Sequence, residues 1–244
     1  MNMNLGLDLG QHPDYSALVV TERVHRFTNP DRPSRDHVED AYQVRHVQRW
    51  RLGTPYTAVI DDVAELMRRP DLDDSLLVFD RSGVGGAVAD LVHKVWREGG
   101  MWRGGECPFG SHGRMPQGIT FTAGFAAYGA AQGYLGATTA HKGDVIRRMV
   151  MLLNTGRLVL PPGLPGGEQL EKELRAYTIK QHQRTGYEYT EAKRESDHDD
   201  LVIALALSVW CKNFYGPEPR YIDAQSGELR EKPEGTRTVY TEAT

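Results

Sequence analysis

The sequence predicts an α/β protein, and three observations carry that expectation. Residues 76–79 (LLVF) are a continuous apolar run that Gly83, Gly85 and Gly86 turn into an amphipathic stretch, the strand, turn and helix of an α/β unit. Two β-rich runs, 5–9 and 16–21, precede it around Gly10, Pro13 and Asp14, which reads as a hairpin with a long turn. Residues 199–214 then form the most apolar helix of the chain.

The remaining elements follow in order. Residues 28–40 are rich in Pro, Arg and Asp and read as a surface loop before a third strand at 42–50. Val59, Ile60, Val63, Leu66 and Met67 recur at helical spacing and Pro70 stops them, so a helix starts near Tyr56. After Gly86 the stripe Val88, Leu91, Val92, Val95 and Trp96 marks the next helix. Residues 99–118 are a Gly-rich insertion, ITFTA at 119–123 is a fifth strand, and 124–136 have no assignable pattern. Val145, Ile146, Met149, Leu152 and Leu153 define a helix over 142–153, and 158–160 are a short strand closed by Pro161 and Pro162. A charged helix is expected over 168–177, and residues 184–193 around Thr185 and Gly186 read as a hairpin or loop with a basic end. Periodicity disappears after Gly216.

The expected organisation is one domain over residues 1–214 and a tail over 215–244, flexible or partner-docking. A chain of 244 residues with 39% hydrophobic content can bury one large core. Cys107 and Cys211 have no Cys or His at ligand spacing, which argues against a zinc site and a disulfide framework and fits a reducing cytoplasm. No run approaches the ~18 apolar residues of a membrane span, and no export signal precedes Leu5. The net charge of −4 means that any contact with nucleic acid must be local. Candidate basic patches are Arg45, His46, Arg49 and Arg51; Arg147 and Arg148; and Lys180, Arg184, Lys193 and Arg194.

Chemistry is concentrated in carboxylates at the ends of apolar runs: Asp8 in LGLDLG, Asp80 in SLLVFD, and Asp199 and Asp200 opening DDLVIALALSVW. An uncompensated Asp8 in a strand costs several kcal/mol unless it is paired or metal-bound. Asp80 lies where ligand sites of open α/β sheets gather, at the carboxyl end of a strand, although it also suits the turn before the Gly loop. One Asp would suffice to cap the late helix, yet Glu195, Asp197, Asp199 and Asp200 crowd its start beside His198. Which acidic residue of that cluster binds metal is left open by spacing alone, and Asp14 reads most simply as a turn residue, a metal contact being the lesser alternative. If the three sites converge, two hard cations such as Mg²⁺ or Mn²⁺ offset the repulsion and equip the chain for phosphodiester hydrolysis. Lys142, at a helix start, would then screen the phosphate.

The succession LGLDLG, SLLVFDRSGVGG, ITFTAG, HKGDVIRRMVMLLNTGRLVLP, EQLEKELRAY and SDHDDLVIALALS resembles the nuclease domain of phage terminase large subunits over roughly residues 5–213. The resemblance implies an RNase H-like mixed β-sheet flanked by helices, and a two-metal endonuclease that cuts double-stranded viral DNA during genome packaging. Carried over by position, Asp8, Asp80 and Asp200 are catalytic metal ligands and Asp199 is a further one; Asp197, His198 and Asp14 are candidate auxiliaries by their place in the sequence alone. Lys142, Lys180, Arg184, Lys193 and Arg194 would contact DNA. The implied partners are a packaging ATPase and a portal or small terminase subunit, in the host cytoplasm. The sequence departs from the family in having no GxxxxGK[ST] phosphate loop, so the ATPase is expected on a separate chain or a separate part of a longer one. A junction resolvase of the same fold shares this chemistry. LGLDLG also resembles the first phosphate loop of actin-like ATPases, whose two lobes need more chain than this.

Overall fold

The computed structural model describes residues 3–10, 14–28, 38–72, 75–82, 85–97, 115–122, 137–181, 188–192, 198–210, 220–223 and 229–230. The order of elements is β1 (Met3–Asp8), β2 (Ala17–Phe27), β3 (Val38–Arg49), α1 (Tyr56–Met67), β4 (Leu76–Asp80), α2 (Gly85–Arg97), β5 (Gln117–Thr122) and β6 (Ala137–His141). It continues with α3 (Lys142–Asn154), β7 (Leu158–Val159), α4 (Gly167–Ala176), β8 (Tyr177–Gln181), β9 (Glu188–Ala192), α5 (Asp200–Trp210), β10 (Arg220–Asp223) and β11 (Leu229–Arg230).

Nine strands form one sheet, in the order β11-β10-β2-β1-β4-β5-β6 with β3 on β2 and β7 on β3; β8 and β9 form a separate antiparallel pair. Within the series β3-β2-β1-β4-β5 only β2 runs against its neighbours. This mixed order is the RNase H-like arrangement, with β1 at the join between the antiparallel hairpin and the parallel half.

Both faces of the sheet are buried, which explains why β4 reads as unbroken apolar sequence. Leu5, Leu7, Leu77 and Phe79 pack with Val59, Ile60 and Val63 of α1 and Val92 and Trp96 of α2. On the opposite face Val19, Leu76, Val78 and Ile119 pack with Ile146 and Met149 of α3 and with α5. The α5 residues from Leu201 to Val209 are all buried, so this helix is apolar on every side because every side meets protein. It lies unusually close to β1: a Cβ on Gly6 would stand 1.9 Å from the Ala204 carbonyl oxygen and 2.5 Å from the Ser208 nitrogen. Among the described residues no helix is long and apolar enough to cross a membrane.

The structure departs from sequence expectation in three places. β3 begins at Val38, inside the segment expected to be a loop, because its first residues pair with the far end of β2 (Phe27 with Val38). β6 occupies residues 137–141, for which no element was expected, and pairs with β5. In the segment expected to be a tail, β10 runs parallel to β2 along Val24 to Phe27, just beyond Glu22, where pairing of β1 with β2 ends. The partner of β10 lies far away in sequence, a pairing that local periodicity cannot disclose.

An ion-pair group braces the far ends of β2 and β3. The Arg23 Nη2 and His25 Nδ1 atoms stand 3.0 Å and 3.2 Å from Asp40 Oδ1. Burial, the largest influence on Asp40, acts to raise its pKa, but the His25 hydrogen bond, the Arg23 charge and the His25 charge together hold it down to about 2. A carboxyl lowered in the folded state contributes stability above its ordinary value of 3.8, and loses it as pH falls towards 2. Acid unfolding of Asp40→Asn is therefore expected to be shallower between pH 4 and 2 than that of the wild type, about 3.8 being where the difference begins; superimposable acid limbs would refute the assignment.

Candidate functional site

Strand register brings the first two carboxylates together. Leu7 of β1 pairs with Phe79 of β4 in parallel, so Asp8 and Asp80 follow side by side at the carboxyl ends of neighbouring strands. Alternation turns their side chains to the face shared with Gly6 and Val78, which α5 covers. Gly6 touches Ala204, and Asp200 lies one helical turn before Ala204, so the start of α5 projects over Asp8.

The electrostatics register this convergence. Burial, and then the charges of Asp80 and Asp200, push the Asp8 carboxyl well above the usual carboxylate range; Lys142 opposes them and Asp199 adds to them. Asp200 is only 4% exposed. Burial, followed by Glu173, Asp199 and Asp14, pushes its pKa up to about 7 against the pull of Arg49. Asp200 Oδ2 is buried without a hydrogen bond, and the nearest cationic candidate, His198 Nδ1, stands 3.7 Å away. An acceptor left in that condition costs about 1–3 kcal/mol, a strained state that a cation would relieve.

Asp80 is half-buried, and its Oδ1 accepts a hydrogen bond from the Ser82 amide at 2.7 Å. Ser82 Oγ in turn accepts from the Phe121 amide at 2.6 Å, tying the turn after β4 to β5. Lys142 opens α3 with its Nζ 3.9 Å from Asp199 Oδ2. Asp14 is exposed but close enough for its charge to act on Asp200. Lys180 belongs to β8, paired with Tyr189. Asp197, Arg184, Lys193 and Arg194 lie outside the described residues.

Several arginines that read as basic patches are engaged within the protein. Arg45 pairs with Glu22, and Arg147 with Asp144. Arg148 donates to the Val209 carbonyl at 2.6 Å and to the Tyr42 hydroxyl at 3.1 Å, fastening α3 to α5 and β3. Arg49 turns inward to Glu173 at 2.5 Å and lies over the Tyr15 ring at 4.3 Å; Tyr15 meets the His198 ring edge-on at 4.7 Å.

Glu173 is the site residue that sequence reasoning missed. It is 3% exposed, and burial raises its pKa against hydrogen bonds from Gln169 and the Leu201 amide and the charge of Arg49. The available signal was its spacing: Leu170 and Glu173 lie three apart on α4, so a carboxylate occupies the inward stripe of an otherwise solvated helix.

Among the described residues no three His, Cys, Asp or Glu side chains stand ready to close on one ion. The donors nevertheless suit a hard divalent cation in kind: they are carboxylate oxygens, the charges of Asp80, Asp200 and Asp199 raise the pKa of Asp8, and one oxygen of Asp200 is buried without a hydrogen bond. Closing the shell would fall to the half-buried Asp80 and Asp199.

No family model matches the chain, and no curated protein matches it. Among solved structures it is similar to the large terminase nuclease from thermophilic phage G20c, at 18% identity and a TM-score of 0.48 over 85% of this chain and 80% of that one. It is also similar to the Mn-soaked human cytomegalovirus terminase nuclease domain, at 12% identity and a TM-score of 0.47 over 87% of this chain and 85% of that one.

Proposed function

We propose that this protein is a divalent-metal-dependent endonuclease that cuts double-stranded DNA, in the role of a terminase large-subunit nuclease in viral genome packaging. The observation that carries the reading is the buried Asp200 carboxylate, one oxygen unpartnered, at a point where Asp8 already feels Asp80 and Asp199. A lasting structural role would pair such a group; a cation-binding role leaves it open.

On this reading Asp8, Asp80 and Asp200 are the catalytic ligands of two Mg²⁺ or Mn²⁺ ions, with Asp199 as a further ligand and Asp14, Asp197 and His198 as auxiliaries. Bound ions of this kind activate water for in-line attack on a phosphodiester and stabilise the leaving 3′ oxygen. The chain's own contribution is to hold the carboxylates on rigid strand and helix ends and to exclude water from Asp200. Lys142 offers a positive charge beside Asp199, and Lys180, Arg184, Lys193 and Arg194 would guide the phosphate backbone. The DNA would be presented by a packaging ATPase, with a portal or small terminase subunit, in the host cytoplasm.

Purified protein with Mn²⁺ is expected to nick and linearise supercoiled plasmid with little sequence preference, whereas Asp80→Asn leaves it intact and folds normally. Uncut plasmid over a full Mn²⁺ and Mg²⁺ titration, or equal cutting by Asp80→Asn, overturns the reading.

A further inference from the structure

We infer that Glu173 and Arg49 are positioning residues that set the start of α5, and through it Asp200, for metal binding; this rests on the proposed metal-dependent function. The first amide groups of a helix have no partner inside the helix. In α5 the Ile203 amide bonds the Asp199 carbonyl at 2.9 Å, which makes Asp199 the cap and Asp200 the first helical residue. The next amide, of Leu201, is buried, and it donates to Glu173 Oε2 at 3.0 Å. A carboxylate from α4 therefore caps α5 from outside, at the end where the helix dipole favours negative charge.

Glu173 cannot readily serve as a further ligand, because donors already hold both of its oxygens. Leu201 occupies Oε2, while Arg49 and Gln169 occupy Oε1, the latter from 3.2 Å. In this respect it is the opposite of Asp200 Oδ2, which has no hydrogen bond. Arg49 makes the arrangement tolerable, since it pairs with the buried Glu173 and opposes the charge that Glu173 exerts on the buried Asp200. Arg49 is itself fixed from behind by the Tyr15 ring, and Tyr15 by His198, which adjoins Asp200. A closed circuit of contacts thus leads from the end of β3 through α4 to the start of α5 and back.

An alternative is that the pair only adds charge near the site, and the two ideas predict different signs. Acting as charges alone, Glu173 attracts a cation and Arg49 repels it, so Glu173→Gln should weaken Mn²⁺ binding and Arg49→Gln should strengthen it. Acting as positioners, both substitutions release α5 and both weaken binding, by about tenfold each, the effect typical of residues that orient metal ligands. The experiment is calorimetric titration of wild type, Glu173→Gln and Arg49→Gln with Mn²⁺ alone, each at a temperature where circular dichroism shows it folded. Arg49→Lys replaces any variant that does not fold; it keeps the charge but loses the planar contact with Glu173 and Tyr15, so weaker binding is expected there too. Opposite shifts for the two Gln variants, or affinities equal to wild type in folded variants, overturn the positioning role. Absence of Mn²⁺ binding by the wild type defeats the metal-dependent function itself and this inference with it, an outcome distinct from the others.

Discussion

Asp8→Asn is expected to lower DNA cleavage by roughly 100-fold or more while raising the melting temperature of the metal-free protein. Loss of a residue that merely orients a ligand costs 10–100-fold, and Asp8 is proposed as a ligand itself. The gain in stability has the same origin. Burial and the Asp80 and Asp200 charges make ionised Asp8 costly in the folded chain, and an amide does not carry that charge. Asp200 shows the pH window: its pKa is raised from 3.8 to about 7 on folding. A carboxyl raised in this way contributes its full benefit below the unfolded value and loses it as pH rises through the folded one. Wild-type protein in chelator should thus lose stability from about pH 4 to about pH 7. Asp8→Asn should flatten that decline, and Mn²⁺ should raise the melting temperature of the wild type more than that of the variant. Scanning calorimetry in chelator and in Mn²⁺ at pH 5 and 8 checks the whole set. A variant that melts lower than wild type in chelator at pH 8 and still cuts plasmid would assign Asp8 a structural role only.

Gly6→Ala is expected to give the largest loss of stability of any single methyl addition in the sheet. The new Cβ would lie 1.9 Å from one backbone atom of α5 and 2.5 Å from another, and neither is a flexible side-chain end that could move aside. Overpacking a core costs typically 1–3 kcal/mol and sometimes more; a backbone clash belongs at the upper end, about 3 kcal/mol. For a chain of this size that lowers the melting temperature by roughly 6–12 °C. Activity should fall as well, because relief of the clash displaces the helix that carries Asp200. Thermal denaturation and plasmid cleavage at 20 °C test both parts. A variant melting within a degree of wild type would show that α5 does not sit against β1 as described.

Much of this architecture is legible in the sequence, for reasons that differ by element. Helices α1 and α3 bury one face each, so Val59, Ile60 and Val63, or Val145, Ile146 and Met149, recur at helical spacing. β1, β4 and α5 are covered on all sides and declare themselves by largely apolar sequence, at whose ends Asp8 and Asp80 stand out. Strands β6 and β10 were not legible, since they are only five and four residues long and the partner of β10, β2, lies far away in the chain. The candidate site divides in the same manner. Its carboxylates end apolar runs and could be named from the sequence. Arg49 could be named only as part of a basic patch and Glu173 only through its spacing from Leu170; the packing of β3 and α4 against the start of α5 is what turns both inward.

The contact between Gly6 and α5 also joins residues made at very different times. Asp200 follows Asp8 on the ribosome by nearly two hundred positions. At typical elongation speeds the interval is roughly 10–40 s. Throughout that time β1 lacks the helix that covers one of its faces, and Asp200 is not yet there to meet Asp8 and Asp80. On the proposed function, a nascent chain therefore carries Asp8 and Asp80 without their partner on α5, and DNA cutting is expected only after α5 has emerged and docked.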